Sequence, residues 1–310
     1  MIALKIAITG ATGSIGVEIT NLALTQGHSV LAIVNPNSTR SSNLTPHPKL
    51  KIIKCSISRY RDLFKIEQCD VFIHLAWCKT TGAERDDVQI QSLNIGYALD
   101  AVHLAKSWGA KVFIGAGSQA EYGICSVDLS PSTPINPQSG YGIAKYASGR
   151  LCGILCDQLG IHFNWVRILS VFGSNDKDST LINYLISSFK SNIPPELTEC
   201  NQIWDYLYAK DAAKAIMLIC EKGKDRSTYV LGSGTKRSLR EYVQSIKKIT
   251  GSKVEPKFGA KSYYPHQPMY LCADITALSS DVGFNPEYTF EEGIIDIVEN
   301  KNQKCRFKNV

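Results

Sequence analysis

The first sixteen residues constrain this chain more than any other stretch. Residues 3–9 are mostly apolar or β-branched and carry no turn signal, which suits a strand buried in a parallel sheet. They run into Gly10-Ala-Thr12-Gly13-Ser14-Ile15-Gly16, and an apolar-periodic segment follows to about residue 26. Strand, glycine-rich turn and helix, in that order, are what a dinucleotide pyrophosphate needs. Gly10 allows the tight turn, Gly13 lets the pyrophosphate approach the backbone, and Gly16 lets the helix pack closely on the strand. The helix N-terminus faces the anion, and Thr12, Ser14 and Ile15 are counted with the three glycines as cofactor-binding.

Further strands are predicted at residues 29–34, 50–54, 70–75 and 111–116, with helices near 60–66 and 88–107. Alternating β and α elements predict an α/β fold built on a doubly wound parallel sheet of the Rossmann type. Residues 35–48, rich in Asn, Ser and Pro, read as a loop. An NAD site ordinarily carries an acid about 20 residues past the glycines, on the adenosine ribose. No acid occurs here between Glu18 and Asp62, and the span holds Arg40 with Asn35, Asn37 and Ser38 nearby. These donors suit a 2′-phosphate, so NADP(H) is favoured. NAD(H) stays open, with Asn35 on its ribose and Arg40 a solvated loop cation.

The 310 residues, 44% hydrophobic and 20% charged, describe a globular chain of one or two domains. The net charge of +6 is mild and spread along the chain, so no nucleic-acid partner is expected. No window is long enough to span a membrane. The opening residues read as a strand and not as a basic start with a cleavage site, so a cytoplasmic protein is expected. Ten cysteines include no C-x-x-C pair. Cys152 and Cys156 stand among Leu151, Ile154 and Leu155 and read as reduced core thiols, so neither a metal site nor a disulfide is expected.

The strand ending near residue 116 leads into Gly117-Ser118-Gln119-Ala120-Glu121-Tyr122-Gly123. Ligands of doubly wound sheets sit at the carboxyl ends of strands, where Ser118 falls. Its hydroxyl can donate to a substrate oxygen. Tyr141-Gly-Ile-Ala-Lys145 places a phenol and an ammonium on one helix face. The ammonium favours the phenolate and lowers a pKa that is ordinarily about 10. Tyr141 can then exchange a proton while hydride passes to or from a nicotinamide.

Together these motifs resemble the extended short-chain dehydrogenase/reductase family, in its NAD(P)-dependent epimerase/dehydratase branch, over nearly the whole chain. Residues 70–76 are similar to the family's fourth strand, whose end, at Leu75 and Ala76, lies beside the cofactor. Residues 167–173 resemble the segment after its sixth strand. Residues 204–211 resemble its Arg-Asp-Phe/Tyr motif, with Trp204 in place of the usual Arg. The resemblance implies catalytic roles for Ser118, Tyr141 and Lys145, with Lys145 also on the nicotinamide ribose. It implies cofactor or active-site support from Asn94, and a homodimer through helices that include residues 94–107 and 141–158. The usual Arg often sits near the substrate diphosphate, so Arg237 and Lys261 are considered in its stead. The acid often found after the third strand is also missing, with Ser56 near its place.

Past residue 174 the pattern becomes irregular. Helices are predicted at 179–191, 209–221, 239–250, 276–282 and 290–300, and strands at 203–208, 228–231 and 270–273, with residues 253–258 counted as a further piece of the cap. The division expected is a Rossmann domain over 1–173, with 203–234 returning to it, and a smaller substrate-binding cap from 174–202 and 235–310. Tyr263, Tyr264 and His266 beside Pro265 read either as an aromatic platform for a base or sugar or as a packed loop. The leading expectation is NADPH-dependent reduction of a 4-keto-(di)deoxy sugar nucleotide. A nucleotide-sugar 4-epimerase with tightly held NAD is the alternative. Dehydratases of the branch usually carry an acid pair beside the Ser or Thr, whereas Gln119 and Ala120 stand here, with Glu121 next. A reading of another class, a non-enzymatic NADP-sensing regulator, fits poorly because such proteins commonly lose the Tyr or the Lys.

Overall fold

The computed structural model describes residues 2–264 and 267–307. β1 (Lys5–Thr9) enters the glycine turn and α1 (Ser14–Thr25) leaves it. β2 (Ser29–Val34), β3 (Leu50–Lys54), β4 (Val71–His74), α2 (Val88–Ser107), β5 (Val112–Ser118), α3 (Gly140–Leu159) and β6 (His162–Ile168) follow. The chain continues through β7 (Ser170–Phe172), α4 (Leu181–Lys190), β8 (Ile203–Trp204), β9 (Tyr206–Tyr208), α5 (Ala209–Lys222) and β10 (Ser227–Leu231). It ends with β11 (Arg237–Ser238), α6 (Leu239–Thr250), β12 (Tyr270–Leu271), α7 (Thr276–Val282) and α8 (Phe290–Phe307).

Seven of these strands form one parallel sheet in the order β10-β6-β5-β4-β1-β2-β3. The order reverses between β1 and β4, and in doubly wound sheets the crevice at such a switch point is where a ligand sits. Alternation along β1 divides the core into two layers. Ile6 and Ile8 pack on one face with residues of α1, α5 and α7, while Ala7 packs on the other with Phe72, Phe113 and residues of α2 and α3. Burial on both faces is why these strands read as nearly unbroken apolar runs. The indole of Trp165 on β6 crosses β5 where Gly115 and Gly117 leave room for it. It lies against α3 at Gly149, where a Cβ would stand 2.7 Å from the ring.

A second core joins α4, α6 and α8, with Phe189, Tyr242 and Ile294 at its centre. The predicted strand at 203–208 is two strands. β8 pairs with β11 and β12, whereas β9 pairs with β7. Asp205 makes the break: it is wholly buried, and its carboxylate accepts the backbone N–H groups of Ser233 (2.8 Å), Gly234 (3.0 Å) and Ala273 (3.1 Å). β8 therefore stays with the cap, and α5 and β10 make the return to the main sheet. α7, expected in the cap, lies on the main sheet instead, because Leu278 and Val282 complete the α1–α5 layer. Residues 253–258 form no strand; a single bridge joins Glu196 to Lys257. The segment expected as a helix near 60–66 is a kinked 3₁₀ stretch, Ile57–Leu63.

Candidate active site

The glycine turn is built for contact. Gly10 adopts φ +70°, a left-handed conformation that favours glycine, and a Cβ there would stand 2.9 Å from Ala76 N. A Cβ on Gly16 would stand 2.5 Å from Gly10 O, so the first turn of α1 lies directly on the loop. α1 begins at Gly13 with no side-chain cap and no acid in its first turn, which leaves its positive end for an anion. The Ser14 hydroxyl is buried without a hydrogen-bond partner among the described residues. An orphaned donor at an uncapped helix start fits a pyrophosphate. From this turn a cleft of about 320 Å³ runs along Ile15, Leu75, Trp77 and Ala116 to Ser118, Tyr141 and Lys145, with Val171 and Asp176 among its lining residues.

At the adenosine end, Thr12 Oγ1 is 3.5 Å from Ser38 Oγ, and Asn43 donates to Thr12 O at 3.4 Å. Arg40 donates to Asn175 O at 2.5 Å, bridging the loop after β2 to the segment after β7. Asn35 is exposed and accepts from Asn37 N at 2.9 Å, closing its own turn. Ala76 N reaches Thr9 Oγ1 at 3.3 Å.

Ser118, at the end of β5, stands within hydrogen-bonding reach of the Tyr141 phenol and favours its ionised form. Burial outweighs this and raises the Tyr141 pKa in the cofactor-free chain, with Arg85 opposing the rise. Lys145 is buried and donates to Ala116 O at 2.7 Å, its ammonium 3.8 Å above the Trp77 ring and 5.8 Å from the Tyr141 ring. The i, i+4 spacing does put Tyr and Lys on one face. The long Lys stem carries its charge down to a β5 carbonyl and against the Trp77 ring. Burial lowers the Lys145 pKa to about 7, against a raising contribution from Glu121.

Glu121 does not face the cleft. It is wholly buried and accepts Ser118 N at 2.8 Å, Trp165 Nε1 at 3.0 Å and Arg167 Nε at 2.7 Å. Arg167 in turn donates to the Tyr122 hydroxyl at 2.9 Å. Its two carboxylate oxygens are thus engaged behind Ser118 and are not presented to the cleft. Asn94 also stands back from the cleft. Its amide accepts Cys78 N at 3.1 Å and donates to Cys78 O at 3.0 Å, fixing the loop after β4.

Sequence reading did not single out Trp77 and Thr80, which line the cleft, or Arg85, which stands beside Tyr141. Trp77 lies edge-on to Tyr141, its ring centroid 6.1 Å away, and donates to Gln91 Oε1 at 2.9 Å. Arg85 stands over the Tyr141 ring at 4.6 Å. None carries a motif; the only signal was their place after the fourth strand. Of the cations considered for a substrate diphosphate, Arg237 is engaged by Glu291 and Ser245, each at 2.8 Å. Lys261 lines a 490 Å³ cavity in the cap together with Trp204, Gln202 and Tyr264. Trp204 donates its indole N–H to Ser170 Oγ at 2.8 Å. Tyr263 receives Asn201 N on its hydroxyl at 3.2 Å, while Tyr264 is exposed; Pro265 and His266 lie outside the described residues. Among the described residues no helix is long and apolar enough to cross a membrane.

A doubly wound sheet with a pyrophosphate turn at its switch point, and Ser, Tyr and Lys at the carboxyl end of the same crevice, defines a dinucleotide-dependent oxidoreductase of the extended short-chain type. More narrowly, the chain belongs to the NAD dependent epimerase/dehydratase family, whose sequence model matches residues 6–232. It is 24% identical over 307 residues to the CDP-abequose synthase of Salmonella muenchen, covering 96% of this chain and 98% of that one. The fold matches a UDP-N-acetylglucosamine 4-epimerase of Methanobrevibacter ruminantium solved with UDP-N-acetylmuramic acid. There the TM-score is 0.88 at 24% identity, over 98% of this chain and 100% of the other. It also matches a UDP-glucuronic acid 4-epimerase of Bacillus cereus solved with NAD, with a TM-score of 0.82 at 21% identity, over 96% and 99% of the two chains.

Proposed function

We propose that the chain reduces a 4-keto-(di)deoxy sugar nucleotide to its 4-hydroxy form, using NADPH. The observation that carries this reading is the Ser118–Tyr141 pair at the end of the dinucleotide cleft, with Glu121 locked behind it. Ser118 donates to the 4-carbonyl oxygen and Tyr141 delivers the proton to the new alkoxide. Lys145, at the floor of the cleft, holds the nicotinamide ribose. The bound nicotinamide supplies the hydride. Dehydration needs a further acid beside the carbonyl, and Glu121, three residues past Ser118, is held by Arg167 and Trp165.

The acid-free loop after β2 supports NADP(H): Ser38, Arg40 and Asn43 cluster beside Thr12. The cap cavity suits the nucleotide, with Lys261 on its wall offering a cation to a diphosphate and Trp204 in the place of the usual Arg. Tyr264 lines both this cavity and the opening beside Arg85, so it stands between nucleotide and sugar. We also take the chain to work as a homodimer through α2 and α3, which pack together and expose Leu93, Ile143, Leu151 and Ile154.

The test is to add NADPH to the full chain with a panel of 4-keto-6-deoxy sugar nucleotides and follow nicotinamide absorbance. Substrate-dependent loss of NADPH is expected, with a lower KM for NADPH than for NADH. Tyr141→Phe should lose roughly 100- to 10,000-fold in turnover and still bind cofactor. A second reading, the 4-epimerase, is favoured by the two structural neighbours named above. Interconversion of 4-hydroxyl epimers without net loss of NADPH would replace the reductase with it. Silence in both assays, with tight cofactor binding, would turn the reading to a sensor.

A further inference from the structure

The phenol of Tyr141 has two cations within reach, and they are placed differently. Lys145, on the same helix, sits 5.8 Å from the ring centroid, bonded to Ala116 O and covered by Trp77. Arg85 comes from a 3₁₀ turn, Gly82–Asp86, in the loop after β4, and its guanidinium carbon lies 4.6 Å from the centroid, over the ring face. The loop is tied along its length. Asn94 holds Cys78 through both backbone groups. Gln91 Nε2 donates to Lys79 O at 2.9 Å and to Glu84 O at 3.4 Å. Asp86 accepts Gly140 N at 2.8 Å, joining the loop to the start of the helix that carries Tyr141. A Cβ on Gly140 would stand 3.2 Å from Arg85 O, so the loop and helix meet closely at that point. Arg85 Nε is buried with no partner among the described residues. The side chain is therefore held over the phenol by its loop and not drawn there by an acid.

We infer that Arg85 is a positioning residue for the acid/base step: its guanidinium, fixed over the ring, stabilises the phenolate of Tyr141. The inference rests on the proposed role of Tyr141. It shifts to Arg85 much of the work that helical spacing assigns to Lys145, whose charge is directed to Ala116 and the ribose side of the cleft. The charged groups around the phenol are Arg85 from the loop, Lys145 from α3 and Glu121 behind Ser118, with Asp86 next to Arg85 in the chain and Asp176 on the lining of the same cleft. Asp86 is held by Gly140 N and Glu121 by Arg167, Trp165 and Ser118 N. Arg85, at 4.6 Å against 5.8 Å for Lys145, is the nearer of the two cations to the ring centroid. Its influence on Tyr141 runs in the lowering direction, against burial.

The test is a fluorine NMR titration of the full chain, saturated with NADP⁺ and labelled with fluorotyrosine, whose more acidic phenol titrates in an accessible range. The Tyr141 resonance is assigned by its loss in Tyr141→Phe. Arg85→Gln should move its titration midpoint upward by about one pH unit, the size expected for losing an opposite charge at this range, and Arg85→Lys should restore part of the shift. The alkaline limb of the reductive turnover profile, where Tyr141 loses the proton it must deliver, should move by the same amount. An unmoved midpoint in folded Arg85→Gln, or a downward move, would overturn the inference. Should Arg85→Gln fail to fold, Arg85→Met gives the same reading. The titration needs no substrate, so it stands or falls apart from the reductase assay. If Tyr141→Phe kept full turnover, the proposed function would fail while the electrostatic result remained.

Discussion

Lys145 carries its charge where water scarcely reaches, and its ammonium has one carbonyl and one indole face for company. Burial holds its pKa at about 7 in the fold, against an ordinary value near 10.4. Between these values the unfolded chain binds more protons than the folded one. The Lys145 contribution to stability should therefore rise with pH across that window, by at most about 1.4 kcal/mol per pH unit. Below the window both states are charged and the burial penalty is full. Buried thiols such as Cys152 and Cys220, whose pKa the fold raises, act in the opposite direction over the same range, so the Lys145 effect is read as a difference between two proteins. Chemical denaturation at pH 7, 8 and 9 should find Lys145→Met the more stable protein at pH 7 and its advantage over wild type shrinking as pH rises; an advantage that does not change with pH would contradict the assignment. Tyr141 differs. Its helix spacing was legible, but the sign of its pKa shift was not, because that sign depends on enclosure by Trp77, Arg85 and Ser118.

At the scale of elements, the back of the site is a stack of β5, β6 and α3. Gly115 and Gly117 admit the Trp165 indole, Gly149 receives it on the other side, and Trp165 then donates to Glu121. This stack keeps Glu121 out of the cleft. Gly149→Ala should press a methyl into the ring and destabilise by about 1–3 kcal/mol. In a Trp165→Leu background most of that penalty should vanish, a coupling that a double-mutant cycle in urea measures directly. An undiminished penalty would show that the glycine serves something other than the indole. None of this was readable from the sequence, because the three glycines and the tryptophan lie on three elements. The break at Asp205 has the same character. A run of β-branched and aromatic residues reads as one strand until its single acid is seen accepting three amides from two other segments.

Across the whole molecule, the two helices that back the catalytic stretch present an apolar outer face. Ile154 is 56% exposed and Ile143 55%, both on α3 and three turns apart. Two such faces packed together bury both, and the same helix carries Tyr141 and Lys145, so assembly would also stiffen the site. Sedimentation should show a dimer. Ile154→Glu should weaken it by at least tenfold, the effect of about 1.4 kcal/mol at an interface that buries the residue. A monomer in wild type would remove the homodimer from the reading.

What the sequence determined by itself was local and periodic. The strand, glycine turn and helix at the start, the apolar strands of the parallel sheet, and the i, i+4 pair of Tyr141 and Lys145 each follow from spacing along the chain. Helices such as Val88–Ser107 and Leu239–Thr250 were legible to the residue because their periodicity is complete within themselves. The tertiary structure decided everything that depends on which segments meet. It set Arg85 over the phenol, sent the Lys145 ammonium to a β5 carbonyl, buried Glu121 against Arg167, and turned Asn94 toward Cys78. It also moved α7 onto the main sheet. These are relations between side chains far apart in sequence, fixed by burial and by the pairing of buried polar groups. A one-dimensional pattern carries no distance across the sheet, and so could mark candidate residues without saying which charges face them.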